Sequence, residues 1–115
     1  MFRFEGLDIY KIAIEYIDDL YKNVDGRFPP KEKFILTQQT IRAANSIALN
    51  IAEGSSRTNK DFNRFLGMSI GSLFEAVTCL QIAQRRNYVP LEKYQDLYDK
   101  SELLAKKINS FRKTL

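Results

Sequence analysis

Six polar residues stand inside otherwise apolar helical sequence: Arg42, Ser46, Asn50 and Glu53 in one segment, Ser72 and Glu75 in the next. One reading makes Arg42, Glu53 and Glu75 a catalytic or ligand site, with Glu53 and Glu75 as an acid-base pair. The same residues serve as an ion-pair and hydrogen-bond network that fixes helix register, because buried charges are normally paired. The four-residue spacing of Arg42, Ser46 and Asn50 aligns them along one line of a helix and fits both readings. The remaining inventory favours the structural one. The chain has no histidine, which removes Ser-His and Cys-His catalysis and histidine metal sites. Cys79 is the single cysteine, so it has no partner for a disulfide or a zinc site. Its apolar helical surroundings suit a small core or interface residue. No Gly-Lys-Ser/Thr phosphate loop occurs, and no Glu-x-x-His pair of a di-iron bundle. No enzyme activity, cofactor or metal is expected.

The elements that must position these groups are helices. Leu7, Tyr10, Ile14, Ile17, Tyr21 and Val24 recur at spacings of three and four and predict a first helix, ended by Asp25-Gly26. After the extended "RFPP", Pro30 suits the first turn of a second helix, predicted to run to about Glu53 with Gly54 as its stop. Thr58 is an N-cap for a third helix, with Asp61 in a capping-box relation. Phe62, Leu66, Ser69, Leu73, Ala76, Leu80 and Ala83 carry that helix at heptad spacing to Arg85 or Arg86. "NYVP" breaks it, and Pro90 opens a fourth helix along Leu91, Tyr94, Tyr98, Ser101, Ala105 and Ile108, widened by Leu97, Leu104 and Phe111. No window alternates as a strand would. Four helices with short links predict an all-α, antiparallel up-down-up-down four-helix bundle, and 115 residues make it one domain over 1–115. A chain of this size buries roughly 65% of its unfolded surface, enough to fold without staples. The first twenty residues hold seven charged groups and do not read as a signal peptide. No uncharged apolar run approaches the roughly 20 residues that cross a bilayer. A reducing, cytoplasmic setting is the expectation.

The net charge of +4 is uneven: residues 1–24 hold three basic and five acidic groups, residues 25–115 fifteen and nine. The best binding stretch is "GSSRTNKDFNR", residues 54–64. It leads into a helix N-terminus, whose free amides and positive dipole favour a phosphate, and Arg57, Lys60 and Arg64 add charge. Lys106, Lys107, Arg112 and Lys113 sit at the C-terminus of the fourth helix, and Arg85 and Arg86 at that of the third. An up-down bundle returns the fourth helix to the 54–64 loop, so residues 57–64 and 106–113 share one end. They are candidate nucleic-acid contacts; as solvated helix ends they would need no ligand. No helix-turn-helix or zinc signature supports base readout.

The second and third helices carry more apolar residues than one bundle face needs. Phe34, Ile41, Ala44, Ala48 and Ile51 make one stripe of the second, Leu36, Ala43 and Ile47 a neighbouring one, and Ile35 and Leu49 lie on still another side; Phe65, Met68 and Cys79 lie beyond the stripe of the third. Exposed, this surface would invite aggregation, so contact between copies of the chain is predicted: a homo-oligomer.

The segments "FPPKEKFILTQQTIRAANSIALNIAEGSSR" and "FNRFLGMSIGSLFEAVTCLQIA" resemble the four-helix-bundle proteins encoded in intervening sequences of bacterial 23S rRNA genes. The likeness rests on Phe28-Pro29, Glu32, Leu36, Gln39, Arg42-Ala43, Ser46-Ile47, Asn50 to Gly54, Arg57, and Gly71-Ser72 with Glu75. The N-terminal "FEGLDIYKIA" extends it over nearly the whole chain, and Met68 departs from the smaller residue usual there. The resemblance implies an up-down bundle assembled as a ring of five, with no known reaction. A relative, the accessory variability determinant of diversity-generating retroelements, is a basic pentameric barrel that binds a reverse transcriptase and nucleic acid. The resemblance thus implies RNA or DNA binding, or docking to a reverse transcriptase or a ribosome-associated partner.

Overall fold

The computed structural model describes all 115 residues. Four helices follow in order: α1 (Asp8–Val24), α2 (Leu36–Gly54), α3 (Asn59–Arg85) and α4 (Leu91–Arg112). Short 3-10 turns at Arg3–Gly6 and Pro30–Glu32 precede α1 and α2. Each helix packs on its sequence neighbours and α4 closes on α1, so the four stand at the corners of a square with no diagonal contact. This is the predicted four-helix bundle, 42 Å long and about 24 Å across.

The α3 stripe is buried at all seven predicted positions, from Phe62 to Ala83. Its 18-residue window of mean hydropathy 1.5 is apolar enough to cross a bilayer by length and composition. Here 44% of that window is buried, in the core against α2 and α4. In α1 the buried line is Ile9, Ala13, Tyr16, Leu20 and Val24, offset from the predicted one. Tyr10 and Ile17 flank the core, and Ile14 is exposed. The cause is that α1 carries two adjacent apolar lines, and periodicity alone does not say which faces inward.

The helix ends explain the links. Gly26 has φ +71°, the left-handed residue that stops α1. Asn87 has φ 62° after α3, where the Tyr88 N–H reaches the Ala83 carbonyl at 2.9 Å and the Asn87 N–H the Gln84 carbonyl at 3.0 Å. That paired closure is a Schellman cap, with asparagine in glycine's place. Thr58 caps α3 by accepting the Asp61 N–H at 3.3 Å.

Helix α2 starts at Leu36, six residues after Pro30. Pro30 opens only a single tight turn, closed by the Lys33 N–H on its carbonyl at 3.1 Å. This segment is tethered elsewhere: the Tyr88 hydroxyl donates to Glu32 Oε2 at 2.9 Å, and the Phe28 and Tyr88 rings lie 5.6 Å apart. These contacts hold residues 28–32 at the α3–α4 link and off the α2 axis. Phe34 and Ile35 therefore project from the link, at 77% and 65% exposure.

Phe65 and Cys79, expected beyond the inner face, are buried within this one chain. The α2–α3 contact is the most extensive in the bundle, and small residues on both helices permit it. Ser69 is fully buried and donates to the Ile47 carbonyl at 2.8 Å. Gly54 is the tightest point. A Cβ there would lie 2.6 Å from Phe65 Cβ and 2.9 Å from Phe62 Cδ1. Its φ is not positive, so the glycine is required for close approach rather than for a left-handed stop. Alanine is the better helix former by about 1 kcal/mol, but the clash falls on Cβ of a buried ring and cannot relax by rotamer change. Gly54→Ala is expected to destabilise the fold by roughly 1–3 kcal/mol net, read as a lower urea midpoint.

One buried polar contact crosses α1 and α4. The Tyr16 and Ser101 hydroxyls lie 2.7 Å apart, and Ser101 Oγ also reaches the Leu97 carbonyl at 2.8 Å. Burial pushes the Tyr16 phenol up to about 12, against the opposing Ser101 hydrogen bond. A folded pKa above the unfolded value of about 10 gives stability that is complete below pH 10. That stability is lost as pH rises through about 12, because the unfolded phenol ionises first. Unfolding free energy should fall by roughly 2–3 kcal/mol across this window, and Tyr16→Phe should remove most of that fall in paired urea titrations.

Candidate nucleic-acid interface

The α2–α3 loop, the start of α3, the end of α4 and the N-terminal turn meet at one end of the square. Thr58 sets the direction of α3, so Arg57 and Arg64 approach the same ring. Their guanidinium carbons lie 5.2 Å and 4.9 Å from the centre of Phe65. Phe65 is only 7% exposed, so its ring is a fixed floor beneath two cations. Such cation–π contacts hold both guanidiniums near one apolar ring. Arg57 also pairs with Glu53 at 3.2 Å and Arg64 with Asp61 at 3.8 Å. These pairs are solvent-exposed and add little stability.

Helix α4 arrives beside them. The rings of Phe62 and Phe111 meet edge-on at 5.5 Å, and Arg112 Nε donates to Asn63 Oδ1 at 2.7 Å. Gly67 leaves room for that guanidinium, whose Nη2 is 3.4 Å from where a Cβ would stand. Lys60, Lys106, Lys107 and Lys113 are exposed and make no ion pair. The expected sharing of one end by residues 57–64 and 106–113 is thus present in the contacts of Asn63 and Phe62 with Arg112 and Phe111.

Arg3 joins this group, although the sequence pattern does not point to it. Its Nη1 donates to the Ser55 carbonyl at 3.0 Å, and its guanidinium lies 5.5 Å from the Phe62 ring centre. Nothing in the local sequence marks it, because the contact spans 52 residues. Residues 1–8, 53–64 and 106–113 together hold eight basic groups, at positions 3, 57, 60, 64, 106, 107, 112 and 113. Their acidic groups are four: Glu5, Asp8, Glu53 and Asp61. The difference of +4 equals the net charge of the whole chain, so the remainder is balanced at ten against ten.

The network expected across α2 and α3 does not form within this chain. Ser46 donates to the Arg42 carbonyl at 2.9 Å and Asn50 to the Ser46 carbonyl at 2.8 Å, so both bond along their own helix. Glu53 turns to Arg57. Arg42, Ser46, Ser72 and Glu75 line one open groove between α2 and α3, with Phe34 at its edge. No ion pair joins Arg42 to Glu75. The close α2–α3 packing leaves both long side chains on the rim, in water. Glu53 lies outside that groove, so the two carboxylates of the acid-base alternative are not brought together. Register across helices is held elsewhere: by Ser69, by Asn45 donating to the Tyr21 hydroxyl at 3.0 Å, and by Lys100 on Asp19 at 2.8 Å. Asp19 and Asp96 hold the Lys100 ammonium above its ordinary value. Burial raises the Cys79 thiol, which lies by Thr40 and faces no activating cation. Nowhere do three or more carboxylate or thiol groups converge as metal ligands.

Among solved structures, the fold is similar to a protein of unknown function from the S23 ribosomal protein family of Bacteroides thetaiotaomicron. The TM-score is 0.83 at 21% identity, over 91% of this chain and 95% of that one. At that identity the likeness concerns the fold alone. No curated relative matches. The family described as the 23S rRNA-intervening sequence protein matches residues 5–110. A match over nearly the full length, on the bundle and motifs described above, makes this chain a member of the 23S rRNA-intervening sequence protein family.

Proposed function

We propose that this chain is a non-enzymatic, homo-oligomeric helical bundle of the cytoplasm that binds nucleic acid, RNA foremost, through phosphate contacts. The observation that carries the reading is the gathering of eight basic against four acidic groups at one end of the bundle. A polyanion gains affinity from such a cluster by releasing counterions, without any base being read. The guanidiniums of Arg57 and Arg64 are pre-oriented on Phe65, and Lys60, Lys106, Lys107 and Lys113 remain free as point charges.

Self-association is supported by the exposure of Phe34, Ile35, Leu49, Met68, Phe74 and Ile82 around α2 and α3. Gly71 adds to this. It is an exposed mid-helix glycine with nothing within 4 Å of its missing Cβ, so its cost of about 1 kcal/mol relative to alanine has no return inside the chain. A ring of five, implied by the resemblance above, would repeat the basic end around a rim and multiply its avidity. The same exposed apolar surface favours a second reading, an adaptor that docks a protein such as a reverse transcriptase or a ribosome-associated partner.

Mobility shifts of single-stranded and duplex RNA across a salt series decide between them. Affinity should fall steeply with salt, and Lys60→Glu and Lys106→Glu should each weaken binding and lower the salt slope by about 1. Binding absent at low salt, or indifferent to both reversals, would overturn the reading. Retention of a protein partner after nuclease treatment would then favour the adaptor. Light scattering should give a mass above one chain at micromolar concentration, and a stable monomer would remove the assembly.

A further inference from the structure

Phosphate contacts leave one feature of the basic end unused. Phe2 is 72% exposed, and its ring lies parallel to that of Phe4, with centroids 5.8 Å apart and planes 5° off parallel. Phe4 in turn meets Tyr10 edge-on at 4.9 Å. The pair is anchored. The Glu5 carboxylate accepts the Phe2 N–H at 2.9 Å, and the Glu5 N–H reaches the Phe2 carbonyl at 3.1 Å. Between the two rings in sequence, Arg3 is tied to the Ser55 carbonyl and lies over Phe62. An aromatic ring is thus fixed at the margin of the cationic cluster, one side against Phe4 and most of its surface in water.

Resting on the phosphate-binding reading, we infer that Phe2 is a stacking platform for an unpaired base, and that the ligand of the basic end is single-stranded nucleic acid. In a duplex both faces of each interior base are already covered by neighbours, so a ring on the protein has nothing to stack on. A single strand exposes base faces alongside its phosphates, and the cluster offers partners for both. Stacking accepts any base, because every base has a π-face. This agrees with the absence of any base-reading motif.

The test uses the full chain with oligo-uridine, oligo-thymidine and an RNA duplex of equal length, titrated by fluorescence anisotropy. The single strands should bind more tightly than the duplex. Phe2→Ala should weaken binding to both single strands by roughly 5- to 150-fold, the range for losing one stacked base. Duplex binding and the salt slope should be unchanged, and Phe2→Trp should restore single-strand affinity. Equal losses on oligo-uridine and oligo-thymidine are expected, since stacking does not read the sugar. An unchanged Phe2→Ala, or an equal loss on duplex and single strand, overturns the inference while salt-sensitive binding still stands. A fall in mass of Phe2→Ala by light scattering also overturns it, by making the ring pair a contact between copies. Absence of all binding by the unaltered chain sinks the phosphate reading itself.

Discussion

The close approach of α2 and α3 at Gly54 is the constraint on which this molecule depends. With hydrogen in place of a methyl group, the last turn of α2 rests directly on the β-carbon and ring of two phenylalanines from α3. That contact sets where the 55–58 loop turns, and so where the α3 N-terminus begins. It also seals Phe62 at zero exposure beneath Arg3 and beside Phe111. Three chain segments distant in sequence meet on that one ring.

The same packing determines the electrostatics. Four arginines are drawn to the corner because their guanidiniums can lie over apolar rings or reach backbone and amide oxygens without losing water on all sides. The lysines around them find no carboxylate, and eight basic groups face four acidic ones there. Elsewhere opposite charges offset one another, as in the Lys100 pairs with Asp19 and Asp96. A concentrated field of one sign attracts polyanions at a range set by the ionic strength, about 10 Å at 0.1 M salt.

Legibility in the sequence differed between elements for identifiable reasons. The α3 stripe was readable in full because one heptad line dominates it. In α1 two apolar lines compete, and periodicity does not tell which faces inward. The start of α2 was placed at Pro30, whereas Glu32 and Phe28 are held by Tyr88 at the far link, a contact across 56 residues that no local pattern contains. Phe65 and Cys79 lie off the heptad line yet are buried, because the small residues of α2 and α3 widen the inner face. The positions at 57–64 and 106–113 were legible from charge and topology together. Arg3 was not, and neither was the cradle that Phe65 makes for Arg57 and Arg64. Arg42 and Glu75 looked like partners on spacing alone, but spacing along one helix does not give the distance to a residue on the next.

By itself, the amino-acid sequence determined the number of helices and the all-α class, because apolar period, caps and left-handed stops act over a few residues. It also determined the family, through motifs whose order survives in the chain. Only the tertiary structure decided which of two apolar lines faces inward, why residue 54 must be glycine, and that Arg3 belongs with Arg112. Those outcomes depend on distances between residues far apart in sequence, set by how closely whole helices can pack.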